Sequence, residues 1–103
     1  MFQDKLRALG INPKMYLDLA KMVATKMGYD PHSLTFSSDP KKKLCYAGRD
    51  FGASGYKDYI IYSLTKPEIA NKRRESYRAR ATKTAEETND KYSPAMLSLN
   101  ILW

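Results

Sequence analysis

The densest group of chemically active side chains in this sequence is a run of cations. Six basic residues fall within twelve positions, with Glu75 as the only acidic residue among them: Lys72, Arg73, Arg74, Arg78, Arg80 and Lys83. Guanidinium groups form paired hydrogen bonds with phosphates and carboxylates. The run therefore predicts a surface that binds a negatively charged partner. The alternative is a solvated helix face on which Glu75 pairs with Lys72 and Arg78.

A second group of candidates combines aromatic rings with cations. Five rings interleave with Arg49 and Lys57 along the chain: Tyr46, Phe51, Tyr56, Tyr59 and Tyr62. Proteins that bind single-stranded nucleic acids use such aromatic platforms beside cations. The alternative is packing in the core or in a protein interface, where tyrosine is favoured. Tyr77, inside the basic run, and Arg49 join the candidate contact residues.

A lysine triplet, Lys41, Lys42 and Lys43, follows the Asp39-Pro40 turn. On a loop tip these ammonium groups can reach phosphates. Lysines at this kind of position also protect the edge strand of a sheet against aggregation.

No arrangement of residues indicates catalysis. His32 is the only histidine and Cys45 the only cysteine, so a metal site or a Ser-His-Asp triad has little to build on. Gly52 and Gly55 form a Gly-x-x-Gly pattern, but it precedes a predicted strand and not a helix, which favours a role in backbone geometry. We expect a protein that is not an enzyme and that uses no metal or cofactor.

Length, charge and cysteine content further limit the type of protein that this chain can be. A chain of 103 residues corresponds to one domain, 1–103, and its net charge of +7 favours an acidic partner such as nucleic acid, an anionic surface or an acidic protein face. No apolar run approaches the roughly 20 residues of a membrane span, and the first residues do not resemble a signal peptide. A single cysteine excludes an internal disulfide, so we expect a protein that is not secreted.

The elements that must position these side chains suggest an α+β fold. Residues 1–28 predict a helical pair, interrupted at Gly10 and restarted by Asn12-Pro13. Residues 34–63 predict a small antiparallel sheet of three to four strands, with Tyr59–Tyr62 as the strongest strand because it is aromatic and β-branched.

The remaining residues predict two further helices. Thr65-Lys-Pro-Glu68 has the form of a capping box and starts a basic helix over 65–82. Residues 83–91 are polar and predict a connector. Ser93-Pro94 then starts an apolar C-terminal helix, 93–103, which we expect to pack back on the domain.

Several short motifs occur in a recognisable order: Phe51-Gly52, Gly55-Tyr56-x-Asp58-Tyr59, Tyr77-Arg78-x-Arg80, and Ser93-Pro94 followed by Ile101-Leu102-Trp103. From about residue 17 to the end, this order resembles a family of small basic proteins encoded by large double-stranded DNA viruses, the algal and giant viruses and their relatives. Ala81 stands where members often carry a histidine, so no role of that histidine transfers to this chain. The resemblance implies a context and no reaction.

Together, the residues and the resemblance predict a non-enzymatic structural protein of a virion, of the minor capsid or cement type. Its partners would be viral capsid proteins or nucleic acid, and it would occur in the virion or in the cytoplasm or nucleus of the infected cell. The alternative is a sequence-nonspecific nucleic-acid-binding protein that uses the basic helix over 72–83. The oligomeric state stays open.

Overall fold

Two helices begin the chain where the apolar spacing predicts them. The computed structural model describes all residues 1–103 and contains helices α1, Phe2–Ala8, and α2, Pro13–Lys26. Gly10 follows α1 with a φ of +77°, a left-handed conformation that favours glycine after a helix. The side chain of Asn12 caps α2 by accepting a hydrogen bond of 2.8 Å from the backbone N–H of Lys14. The predicted helical pair is confirmed.

Three short antiparallel strands follow a turn at Pro31–Ser33. They are β1, Leu34–Phe36, β2, Lys42–Tyr46, and β3, Arg49–Ala53, and β2 lies between the other two. Leu44 of β2 pairs with Phe36 of β1 and with Phe51 of β3, which places apolar side chains in register across the sheet. The predicted α+β class with a small antiparallel sheet is therefore confirmed, with three strands.

The expected strand at Tyr59–Tyr62 is wrong, and so is the extension of the sheet to residue 63. These residues belong to helix α3, Tyr59–Thr65. The Oδ1 atom of Asp58 accepts a hydrogen bond of 2.9 Å from the backbone N–H of Ile61 and so caps the helix. Strand preference depends strongly on context, and here the cap and the burial of Ile60 and Ile61 decide in favour of a helix.

The basic helix, α4, spans Pro67–Glu87 and differs from the prediction at both ends. Lys66 occupies the N-cap position, and Thr65 does not form the capping box, since its hydroxyl donates to the carbonyl oxygen of Ile61 at 2.8 Å. At the other end, the helix continues through residues that we expected in the connector. Ala85, only 1% exposed, gives this last turn a buried contact, so only residues 88–93 connect α4 to the next helix.

The chain ends in the expected apolar helical segment. Ser93 caps helix α5, Pro94–Leu97, which continues as a π-helical segment, Ser98–Leu102. Its apolar side chains are almost fully buried: Leu97, Leu99, Ile101 and Leu102. A Cβ atom on Gly52 of β3 would lie 2.7 Å from Cδ1 of Leu102, so the segment packs directly on the sheet backbone.

One hydrophobic core joins these layers. Its largest fully buried side chains come from α1, α2, α3, the sheet and the C-terminal segment, and include Phe2, Leu6, Tyr16, Leu34, Leu44, Phe51, Ile61, Leu97, Ile101 and Leu102. No helix of the chain combines the length and the apolar character needed to cross a lipid bilayer. Helices α3 and α4 and the C-terminal segment pack against one another, and together with the loop after β3 they form the site described next.

Candidate functional site

A cleft of about 450 Å³ lies between the loop after β3, helices α3 and α4, and the C-terminal segment. Three exposed cations line it: Lys57 from the loop, and Arg73 and Arg80 from α4. No aspartate or glutamate is among its lining residues. The charged side chains that line this concave surface are therefore all positive.

Aromatic rings form much of the remaining cleft wall. Tyr77 and Trp103 stack on each other, with ring centres 4.3 Å apart and planes at 8°. Tyr62 lies 6.4 Å from the same indole ring. Tyr56 is different, because it is 76% exposed and contacts no other aromatic ring. Burial raises the pKa of the Tyr77 hydroxyl although nearby Arg80 lowers it, so Tyr77 is a neutral hydrogen-bonding group at neutral pH.

Arg73 and Arg80 belong to a set of four cations on α4 whose charged groups form neither an ion pair nor a hydrogen bond, unlike Arg74 and Arg78. Lys72 and Lys83 complete the set and lie exposed outside the cleft. None of the five ion pairs in the structure includes a residue of α4, and the pairings considered for Glu75 do not form. The positive charge of this helix is thus not neutralised by the protein's own acidic side chains.

The two other arginines of α4 hold the C-terminal segment. The Nε atoms of Arg74 and Arg78 donate to the main-chain oxygen of Trp103 at 2.6 and 3.1 Å, and a terminal nitrogen of Arg78 donates to the carbonyl oxygen of Leu99 at 3.3 Å. Burial and the neighbouring charge of Arg74 lower the pKa of Arg78. These two predicted contact residues therefore have a structural role, and they fix Trp103 in the cleft wall.

The predicted placement of the lysine triplet on a loop tip is wrong for two of its members. Lys41 is exposed in the turn, but Lys42 and Lys43 belong to β2, the central strand, so they protect no sheet edge. The side chain of Lys43 is 3% exposed, and its ammonium lies 2.9 Å from Oδ2 of Asp58. Lys43 contributes only to the base of the cleft, and its charge is already paired with that of Asp58.

The buried carboxylate of Asp58 accepts hydrogen bonds from three donors in the core. Besides the ammonium of Lys43 and the backbone N–H of Ile61, the hydroxyl of Tyr16 donates to its Oδ2 at 2.5 Å. Burial, and then the charge of Asp58, raises the pKa of Tyr16 well above its ordinary value. Sequence reasoning missed this network, since only the position of Asp58 before an apolar run hints at a helix cap.

Arg49 also has an internal partner. One of its terminal nitrogens donates to Oδ2 of Asp90 at 2.9 Å and to the carbonyl oxygen of Tyr92 at 3.0 Å. The backbone N–H of Tyr92 and the Arg49 guanidinium together lower the pKa of Asp90. Arg49 thus ties β3 to the connector after α4, although it was predicted as a contact residue.

The remaining aromatic candidates separate by location. Tyr46 and Phe51 belong to the core, as the alternative interpretation holds. Tyr59 and Tyr62 lie three residues apart on one face of α3 and not on opposite sides of a strand. The ring of Tyr59 contacts the guanidinium of Arg74 at 4.9 Å, outside the cleft. Only Tyr56 and Tyr62 of this group line the cleft together with cations.

The residues considered for metal chemistry do not come together. His32 is exposed in the turn before β1, Cys45 lies partly exposed on β2, and no group of three or more histidine, cysteine, aspartate or glutamate residues has the geometry to hold a metal ion. Searches against protein-family models, curated proteins and solved structures give no match to this chain. The resemblance to viral proteins therefore stays a prediction, and the site must be interpreted from its own geometry.

Proposed function

We propose that this protein binds nucleic acid without sequence specificity and without catalysis. The observation that carries the proposal is the cleft itself, in which Lys57, Arg73 and Arg80 stand among aromatic rings and no aspartate or glutamate side chain belongs to the lining. Arginine is suited to phosphate because its planar fork offers several donors at once. Lys72 and Lys83 extend the positive surface along α4, and the net charge of +7 favours encounter with a polyanion.

The number of free cations sets the expected salt dependence. Contact of three phosphates with the cleft cations gives a slope of log K against log salt of about −2 for a single strand. Between about 50 and 200 mM salt, affinity then falls about 20-fold, and more steeply if Lys72 and Lys83 also bind phosphates. An acidic protein partner would give a shallower dependence, because it carries no condensed counterions to release.

The test is fluorescence anisotropy with labelled oligonucleotides of random sequence over this salt range. The double variant Arg73→Ala, Arg80→Ala should weaken binding and reduce the slope by about 1 to 2 units. The matched control, Lys72→Ala, Lys83→Ala, removes the same charge from the same helix outside the cleft and should have a smaller effect. Equal effects of the two double variants would contradict binding in the cleft, and absence of binding would refute the proposal.

The expected role as a structural protein of a virion is a second proposal. The observation that favours it is the same set of free cations and exposed tyrosines, because these residue types also suit the rim of a protein interface with an acidic face. Mass spectrometry of purified virions tests it. Stoichiometric amounts would support it, and detection only in the infected cell would count against it.

A further inference from the structure

We propose that the cleft holds one nucleotide of a single strand, with its base against the ring of Tyr56 and its phosphates between Lys57, Arg73 and Arg80. This inference rests on the proposed function and makes it more specific. It predicts a preference for single strands over duplexes, which charge alone does not give.

The base site is indicated by the state of Tyr56. A tyrosine that is 76% exposed and touches no other ring leaves a large aromatic face in water at the edge of a concave site. The cleft lining also includes Tyr62 and the stacked pair of Tyr77 and Trp103, so a planar group that enters the cleft meets aromatic surface. A base in a duplex is stacked on its neighbours, whereas an unpaired base can leave the stack and enter.

The phosphate site is indicated by cations that come from two separate elements. Lys57 lies on the loop directly after Tyr56, while Arg73 and Arg80 lie on one face of α4, about two turns or 10 Å apart along the helix axis. Two arginines at this separation can contact successive phosphates of one strand. The hydroxyl of Ser76, between them on the cleft wall, is a neutral donor for the same oxygens.

The size of the cleft agrees with one nucleotide. Its volume of about 450 Å³ falls within the range of about 300–1,000 Å³ that is usual for sites of small molecules. A double helix is a rod that is too wide to enter such a site and can contact only its rim. The rest of a single strand would continue over the exposed cations of α4, Lys72 and Lys83.

Trp103 provides the signal for the experiment, because it is the only tryptophan and lines the cleft. Its fluorescence is followed while the protein is titrated with a short oligothymidylate, with the same strand carrying an abasic site at every position, with a duplex of equal length, and with oligoglutamate. We expect the oligothymidylate to change the fluorescence and to bind about 5- to 150-fold more tightly than the abasic strand, which is the contribution of one stacked base.

Two variants at one position separate stacking from charge. Tyr56→Ala should weaken binding of the oligothymidylate by a similar factor and leave the abasic strand unchanged, while Tyr56→Phe, which keeps the ring, should retain affinity. Because Tyr56 is mostly exposed, neither variant should affect folding. The salt slope should be the same for all three proteins, since no cation is altered.

The outcomes distinguish the inference from the function on which it rests. If no oligonucleotide binds, or if oligoglutamate binds more tightly than the oligothymidylate, the proposed function fails and this inference fails with it. If nucleic acid binds but duplex and single strand bind equally, or Tyr56→Ala has no effect, the protein binds nucleic acid by charge alone. In that case only the base site is overturned.

Discussion

Asp58 and Lys43 form a buried ion pair whose removal gives the sharpest test of the structure. Their side chains are 0% and 3% exposed, and Lys43 also contributes to the base of the cleft. The substitution Asp58→Asn keeps the oxygen that caps α3 by accepting from Ile61, but it removes the negative charge and replaces Oδ2, the acceptor of Tyr16 and Lys43, by an amide nitrogen. The ammonium of Lys43 then stays in the core without a counter-charge, and the loss of one partner of a buried pair costs about 3–5 kcal/mol.

A free energy of unfolding of about 5–15 kcal/mol is typical of a domain of this size, so the variant should lose a large share of its stability. Urea unfolding followed by far-UV circular dichroism measures the change. With an m-value of about 2 kcal/mol/M, the midpoint should fall by about 1.5–2.5 M. Lys43→Met, which leaves the buried carboxylate of Asp58 without its counter-charge, should lower the free energy of unfolding by a similar amount.

The double variant Lys43→Met, Asp58→Asn is the decisive comparison. It removes both charges together, so it should recover at least about 2 kcal/mol relative to the sum of the single variants. If the two losses simply add, the pair is not coupled and the burial argument is wrong. A loss below about 1 kcal/mol for Asp58→Asn alone would likewise show that water reaches this site.

Three further changes test other parts of the structure, each by urea unfolding unless stated. Gly52→Ala should lower stability by about 1–3 kcal/mol, because the backbone at residue 52 is left-handed and the added methyl group clashes with the C-terminal segment. Gly55 has open space around it, so the control Gly55→Ala should change stability by less than about 0.5 kcal/mol. Arg78→Ala should lower the free energy of unfolding by about 1–2 kcal/mol and increase hydrogen exchange around Trp103, since the hydrogen bonds of Arg78 to the C-terminal segment are lost. Unchanged exchange would show that Arg78 does not hold this segment in place. Stability should fall as the pH rises above about 10, because the unfolded state releases the hydroxyl proton of Tyr16 while the folded state retains it. Tyr16→Phe should make this fall shallower. If the variant and the unmodified protein show the same pH dependence, the raised pKa of Tyr16 is refuted.

The local signals in the sequence predicted much of the fold. Asn12 before a proline, glycine at position 10 and Ser93 before a proline each mark a helix end through their own backbone preferences, and each does so in the structure. The same type of reasoning failed for Tyr59–Tyr62. There, strand propensity is a weak preference, and the cap at Asp58 together with tertiary packing overrides it.

The site was predicted only in part. A charged helix with Arg73 and Arg80 was expected from composition, but which arginines stay free was not. Residues 73, 74, 78 and 80 have the same chemistry, and only the position of the C-terminal segment assigns Arg74 and Arg78 to Trp103. Because that segment is more than twenty residues away along the chain, no local pattern could reveal the division.

Local sequence was enough to predict the end of α1, the starts of α2 and α5, the α+β class and the excess of positive charge, because each depends on residues close together in the chain. The tertiary structure decided where that charge lies free and where it is paired. It buried Lys43 against Asp58, 15 positions away, and it brought Tyr56 and Lys57 into one cleft with residues of α4. Such contacts arise from the packing of distant segments around one core, and their free energy appears only when the whole chain is folded.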